Sequence, residues 1–404
     1  MTDSRIVRFK ELLSEPLRNG VSYPAKLRGV GIPMVNMGEA FAYDVIRDQK
    51  CELAPLTDSE RERFLLEDGD LLFVRQSLTY AGAGRCVLVG RGTGPRTWES
   101  HLIRARINTD IADPRFIYYY FRSPGGRRNV ETIVNQVAAA GIKGSDLKEL
   151  EIPCPTLVDQ QRVSSLLGAL DDKIEVNERI AATALNLAEA MYIRASASSI
   201  WRSVKLRDAA RWLSGGTPKT SEPSYWGGTI PWISALSLKS PWIGRSDRNV
   251  TELGAASGTR LVPADTVLFV VRGSSLKEEF RIGITQREVT FGQDCKALIA
   301  HGSIDPHALF HGIRSQTKSV LEMVDETSIG AGRLSTDLIS ALEIRVPSDP
   351  RDPAVAQVRN LDRLAATRQQ ESQSLATLRD TLIPQLMSGR LRVKDAEKIV
   401  EDHT

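Results

Sequence analysis

Two periods run through the hydrophobic and polar positions of this chain. Over 69–74 and 85–89 apolar residues alternate as in β-strands, while 114–122 and 130–138 read as short helices or strands around a turn at Ser123-Pro124-Gly125-Gly126. Two much longer stretches place apolar residues three and four apart. In 158–196 they are Leu167, Leu170, Ile174, Ala181, Ala184, Ala188 and Met191, with Asn177 the polar intruder; in 352–388 they are Leu361, Leu364, Leu375, Leu378 and Leu382, interrupted by Arg368 and Glu371. Thr156 with Asp159 forms a capping box for the first stretch, and Asp352 with Pro353 suits the start of the second. Each predicts a helix of roughly 35 residues and about 50 Å. One small domain does not need such length, so the pair predicts an antiparallel coiled coil.

The pattern is also written twice. Ile32-Pro33-Met34 returns as Ile230-Pro231-Trp232, and Gly69-Asp70 with its apolar run to Arg75 returns as Ala264-Asp265 with the run to Arg272. Asp113-Pro114 returns as Asp305-Pro306, and Gly141-Ile142-Lys143-Gly144 returns as Gly330-Ala331-Gly332-Arg333. Leu150-Glu151-Ile152-Pro153 returns as Leu342-Glu343-Ile344 followed by Pro347. Ordered matches at a nearly constant offset of about 190–200 residues mark an internal repeat. The expected fold is α+β: two globular domains related by the repeat and separated by two long helices. The expected boundaries are domain 1 at 1–157, a central helix at 158–196, domain 2 at 200–350, a C-terminal helix at 352–388 and a charged, frayed tail at 389–404. A small-residue link, 195–199, precedes the second domain.

Composition adds bounds. The 404 residues, 41% hydrophobic, suffice for two ordinary cores, and the net charge of +3 permits nucleic-acid binding without demanding it. No apolar run approaches a membrane span and the first residues show no signal-peptide pattern, which places the expected protein in the cytoplasm with no membrane partner. Four cysteines without paired spacing read as core thiols.

The motifs of common catalysts do not occur. There is no GxxxxGK[ST] loop, Gly90-Arg91-Gly92-Thr93-Gly94 lacks the dinucleotide spacing, and no Asn/Asp-Pro-Pro-aromatic tetrapeptide offers a pocket for a flipped adenine. His307 and His311 share a helix face but lack a third ligand, and read as partly exposed rather than metal-binding. Asp70 and Asp265 read as paired turn residues, not catalytic acids.

Ser214-Gly215-Gly216-Thr217-Pro218-Lys219, Tyr225-Trp226, Ile230-Pro231-Trp232, and Ile152-Pro153-Cys154-Pro155 followed by Gln160-Gln161 carry a resemblance. With the repeat and the long helices, the chain resembles the specificity subunit of type I DNA restriction-modification systems. The first half departs from the pattern with Arg18-Asn19-Gly20, and the second helix begins at Ser348-Asp349-Pro350 rather than a Gln-Gln entry. The resemblance implies a non-catalytic reader of double-stranded DNA, with two target-recognition domains on the halves of a split, asymmetric sequence and the helices as a ruler. It also implies methyltransferase subunits and a restriction/translocase subunit as partners. S-adenosylmethionine, ATP and Mg would serve those subunits, leaving no cofactor in this chain.

Reading bases takes forked or amide side chains on loops, with cations for phosphates. The candidates are Arg75 and Gln76 with Arg272, and Lys143 with Arg333, all near glycines that let the backbone approach DNA. Arg96 and Ser100 in the first half, and Lys219, Lys277 and Arg281 in the second, are secondary. Tyr225, Trp226 and Trp232 read as loop anchors. Two other classes compete: an enzyme component with unseen catalysis, and a coiled-coil interaction scaffold. A DNA-reading part of another defence system is a further alternative.

Overall fold

Five helices organise the described residues, 5–136, 139–326 and 331–402, of the computed structural model. They are α1 (Pro114–Arg122), α2 (Leu157–Ser196), α3 (Pro306–Arg314), α4 (Pro353–Met387) and α5 (Val393–Glu401). The chain forms two units, Met1–Ile174 with Ser374–Thr404, and Glu175–Gln373. The repeat landmark Gly330 and the expected end of the 130–138 segment at Ala138 lie outside the described residues.

In the first unit a five-stranded sheet runs in the order Arg18–Asn19, Leu102–Ala105, Leu71–Val74, Cys86–Val89, Val45–Ile46. Only the last pairing is parallel. Phe9, Phe73 and Phe121 meet beneath the sheet with ring centroids 4.9–5.8 Å apart, edge to face. Such pairs contribute about 0.5–1.5 kcal/mol each beyond burial. Strand Arg5–Arg8 pairs antiparallel with Glu151–Cys154, which feeds α2. The threonine half of the capping box forms: Thr156 Oγ1 accepts from the Asp159 amide at 3.2 Å, and it donates to the Asp159 carboxylate at 2.9 Å.

The second unit repeats this order with Ala210–Ser214, Cys295–Ala300, Val267–Val270, Ile282–Thr285 and Trp242–Ile243, again with a parallel last pair. Trp201–Lys205 pairs with Glu343–Pro347 as the corresponding ribbon. Register refines the repeat. Leu71 faces Leu88 as Val267 faces Ile284, so Asp265 matches Gly69 rather than Asp70. Both residues are left-handed, at φ 61° and 91°. Asp70 matches the buried Thr266 and is no mere turn residue: its carboxylate takes the guanidinium of Arg106 at 2.8 and 2.9 Å.

Within the first unit, Leu167, Leu170 and Ile174 of α2 pack with Leu375, Leu382, Ile383 and Leu386 of α4. Within the second, Ala188 and Tyr192 of α2 pack with Val355 and Val358 of α4. The start of each helix thus meets the end of the other, and the pair is antiparallel. One expected seam position fails, because Leu364 is exposed while Val355, Val358, Asp362 and Ala365 are buried. Leucine spacing leaves Asp362 at the surface, whereas its partners on α3 bring it inside. The tail differs as well. Beyond Gly389 the chain forms α5, with Ala396 fully buried and Val393, Ile399 and Val400 packed on the first unit's core.

Candidate nucleic-acid interface

At one end of each five-stranded sheet the chain continues into a small three-stranded sheet. In the second unit the strands are Arg272–Gly273, Gly332–Leu334 and Val324–Glu326, and Arg272 lies directly across from Arg333. Both side chains are exposed. Like charges across a strand pair are destabilising by themselves and favour an anion between them. Asp325 faces Arg333 on the other side, and Asp294 is 4.0 Å from Arg272. Two glycines make the approach possible. Gly273 holds φ 148°, and a Cβ on Gly332 would come within 2.9 Å of Leu276.

The first unit builds the same sheet from Gln76–Ser77, Ala140–Gly141 and Asn135–Gln136. Here Gln76, exposed, stands across from Gly141, which in turn stands across from Asn135. Register therefore matches Gln76 with Arg272 and Gly141 with Arg333, not Arg75 with Arg272 or Lys143 with Arg333. The first unit presents the Gln76 amide where the second presents Arg272, and a glycine where the second presents Arg333.

The remaining candidates scatter. Lys143 is exposed two residues beyond Gly141, at the start of helix Gly144–Leu147. Arg75 and Ser100 are half-buried, with Arg75 Nη1 3.4 Å from the Ser100 carbonyl. Arg96 is buried and donates to the carbonyls of Ile46, Arg47 and Gly90 at 2.8–3.1 Å, so it clamps loops and does not point to solvent. Arg281 donates to the Ala235 carbonyl and to Glu279. Lys277 is exposed and has a contact of its own.

Ser214 pairs with Lys296 as Val270 pairs with Cys295, so the loop Gly215–Lys219 leaves the sheet at the same end as Arg272. Its first glycine is sterically required, since a Cβ would sit 2.3 Å from the Gly292 carbonyl oxygen. Gly20 is its counterpart in the first unit, 2.1 Å from the Trp98 carbonyl oxygen on the same test. Trp226 and Trp232 anchor this loop through indole N–H bonds to the carbonyls of Lys219 and Gly216, at 3.1 and 3.0 Å. Arg248 lies 3.7 Å over the Trp226 ring, an interaction for which the sequence carries no periodic signal.

The sequence also missed a buried polar cluster in the second unit. Asp362 of α4 accepts from His307 Nδ1 at 2.7 Å and from His311 Nε2 at 3.0 Å. Burial alone would raise this carboxyl, but the two imidazole hydrogen bonds outweigh it and hold Asp362 below its ordinary value. The histidines are thus buried structural groups, not a partly exposed pair. Of the cysteines, Cys86, Cys154 and Cys295 are buried, and burial pushes the half-buried Cys51 up to about 11.

Residues 60–185 match the family model described as the type I restriction modification DNA specificity domain. The EcoR124I/EcoR124II specificity subunit of Escherichia coli is 27% identical to this chain over 213 residues, covering 50% of this chain and 52% of that one. The EcoKI specificity subunit of Escherichia coli K12 is 32% identical over 186 residues, covering 43% and 39%. The chain thus spans about half, or less, of the length of these curated relatives. The chain is similar in fold to the type I restriction-modification system S subunit from M. genitalium, at 17% identity, TM-score 0.60 and coverage of 95% and 96%. No described helix is long and apolar enough to cross a membrane.

Proposed function

We propose that this chain is the non-catalytic, sequence-reading subunit of a type I restriction-modification complex. Each unit would read one half of a split, asymmetric duplex sequence, with the helix pair as spacer. Methyltransferase and restriction/translocase subunits would dock on the chain and hold S-adenosylmethionine, ATP and Mg. One observation carries the reading: a chain that matches a DNA specificity domain repeats its fold, and the repeat ends in an exposed Arg272–Arg333 pair in one copy and exposed Gln76 in the other. Forked guanidiniums suit the guanine edge and amides the adenine edge, so the two copies are chemically suited to different half-sites.

The test is co-expression with a type I methyltransferase subunit and long-read mapping of modified adenines in the host DNA. Exchange of residues 1–157 for those of a relative is expected to change one half of a split motif and leave the other. A soluble complex that modifies nothing would overturn the reading in favour of an interaction scaffold.

A second expected result concerns the arginine pair. Arg333→Ala should cost about 1–3 kcal/mol of discrimination at one base pair, measured by competition between duplexes differing at single positions. An equal loss for every duplex would reassign Arg333 to a phosphate.

A further inference from the structure

A groove of about 510 Å³ opens in the second unit between the ends of strands Trp242–Ile243 and Ile282–Thr285 and one face of α4. Arg245, Arg287 and Arg363 line it, all exposed, and none takes part in an ion pair among the described residues. No carboxylate lines the groove, and its other polar walls are amides and a hydroxyl, including Gln286, Gln369 and Thr367. Gln369 fixes the helix to the strand edge by donating to the Trp242 carbonyl at 3.1 Å and accepting from Ser240.

The first unit shows what this place looks like without the charge. Strand Val45–Ile46 pairs with Leu88 and Val89 as Trp242–Ile243 pairs with Ile284 and Thr285, so Asp48 and Arg91 stand where Arg245 and Arg287 stand. On the helix, Asp171 holds Tyr119 of α1 as Asp362 holds His311 of α3, which puts Asp172 at the position of Arg363. Asp172 lies 3.6 Å from Arg47 and 3.4 Å from Arg115, and Asp48 accepts from Thr93. Carboxylates are interleaved with the cations there. The second unit has arginine in place of both aspartates, a change that the shared fold does not require.

Three guanidiniums without a carboxylate partner along one groove favour an anionic occupant. We propose that this groove clamps backbone phosphates of duplex DNA. The inference rests on the reading of the chain as a DNA-binding subunit. A repeating polyanion suits three separate unpaired forks, and only the edge of a duplex has to enter. The groove lies at the Val267 end of the central strand, whereas Arg272 follows its Val270 end, so the two places cannot grip the same bases. The groove then supplies affinity and orientation, not base choice.

The experiment is fluorescence anisotropy with the full chain, in its complex, on duplexes with and without the mapped target, over a range of salt. Neutralising all three, Arg245→Gln, Arg287→Gln and Arg363→Gln, is expected to weaken both duplexes by the same factor. It should also flatten the plot of log affinity against log salt by about two to three units, near 0.9 for each phosphate that no longer has its cation. Arg363→Asp, which restores the first unit's acid, should weaken binding more than Arg363→Gln. The melting temperature should not move, because all three side chains are exposed. Unchanged affinity and slope in a triple variant whose parent binds DNA would overturn the groove alone, as would a loss seen only in binding a protein subunit. A parent complex that binds no duplex at any salt would overturn the DNA reading itself.

Discussion

Replacing Asp362 with alanine is expected to destabilise the second unit by about 3–5 kcal/mol, the range found when one partner of a buried charged set is removed. Asp362, His307 and His311 are all buried, with relative exposures of 0%, 4% and 0%. Each imidazole uses one nitrogen on the carboxylate, and in the variant both nitrogens would be left inside without an acceptor. His311 Nδ1 already has no hydrogen-bond partner among the described residues, and His307 Nε2 is 3.8 Å from Asp265. Arg359 pairs with Asp305 beside them, and Tyr192 stacks on His311 with ring centroids 6.2 Å apart. The pH dependence has a definite sign. Because the folded-state value of Asp362 lies below the ordinary 3.8, its contribution is present above that pH and is lost as pH falls below it. Urea unfolding at pH 7 and at acid pH checks both points. Asp362→Asn should lose this acid-dependent part. A cost under about 1 kcal/mol for Asp362→Ala would show that the cluster is not holding α3 to α4.

The second large effect belongs to the first unit. Arg106 bonds Asp70 twice, reaches Glu15 and Glu67 at 2.8 and 2.6 Å, and donates to the Leu65 carbonyl. Asp70 is 1% exposed. Arg106→Ala strands that carboxylate, whose remaining partner is the Glu67 amide at 2.8 Å, and should also cost about 3–5 kcal/mol. The double change Arg106→Met with Asp70→Leu should recover most of the loss, because apolar groups of similar volume often replace a buried pair at little cost. Equilibrium unfolding of both variants decides it. A double variant no better than the single one would mean that Arg106 acts mainly through Glu15 and Leu65.

What the sequence revealed, and what it hid, follows from which interactions are local. The repeat, the long helices and the capping box were legible because strand alternation, helical spacing and Thr156 with Asp159 act over a few residues. The one-residue difference that matches Asp265 with Gly69 was hidden, since it depends on which strand residues face each other. Arg96 looked like a surface cation because its three carbonyl partners come from the end of a strand and from loops up to fifty residues away. Asp362 was invisible for the same reason: His307 and His311 show a helical spacing, but the acid that binds them lies on another helix. In the candidate interface, glycines pointed to the right loops, while the cross-strand partner of each arginine required the register.

The ribbons that close each unit have a meaning for heredity. Arg5–Arg8 lies beside Glu151–Cys154, and Trp201–Lys205 beside Glu343–Pro347, so the stretch of chain between the two strands of each ribbon begins and ends at neighbouring points in space. Two genetic crossovers, one at each strand of a ribbon, would transplant that stretch as a cassette without cutting its sheet. Insertions of whole bodies are tolerated where their ends lie close together. A lineage carrying this chain can therefore exchange one whole sheet body by recombination in a single step, rather than by accumulating point changes in a body that must stay folded throughout.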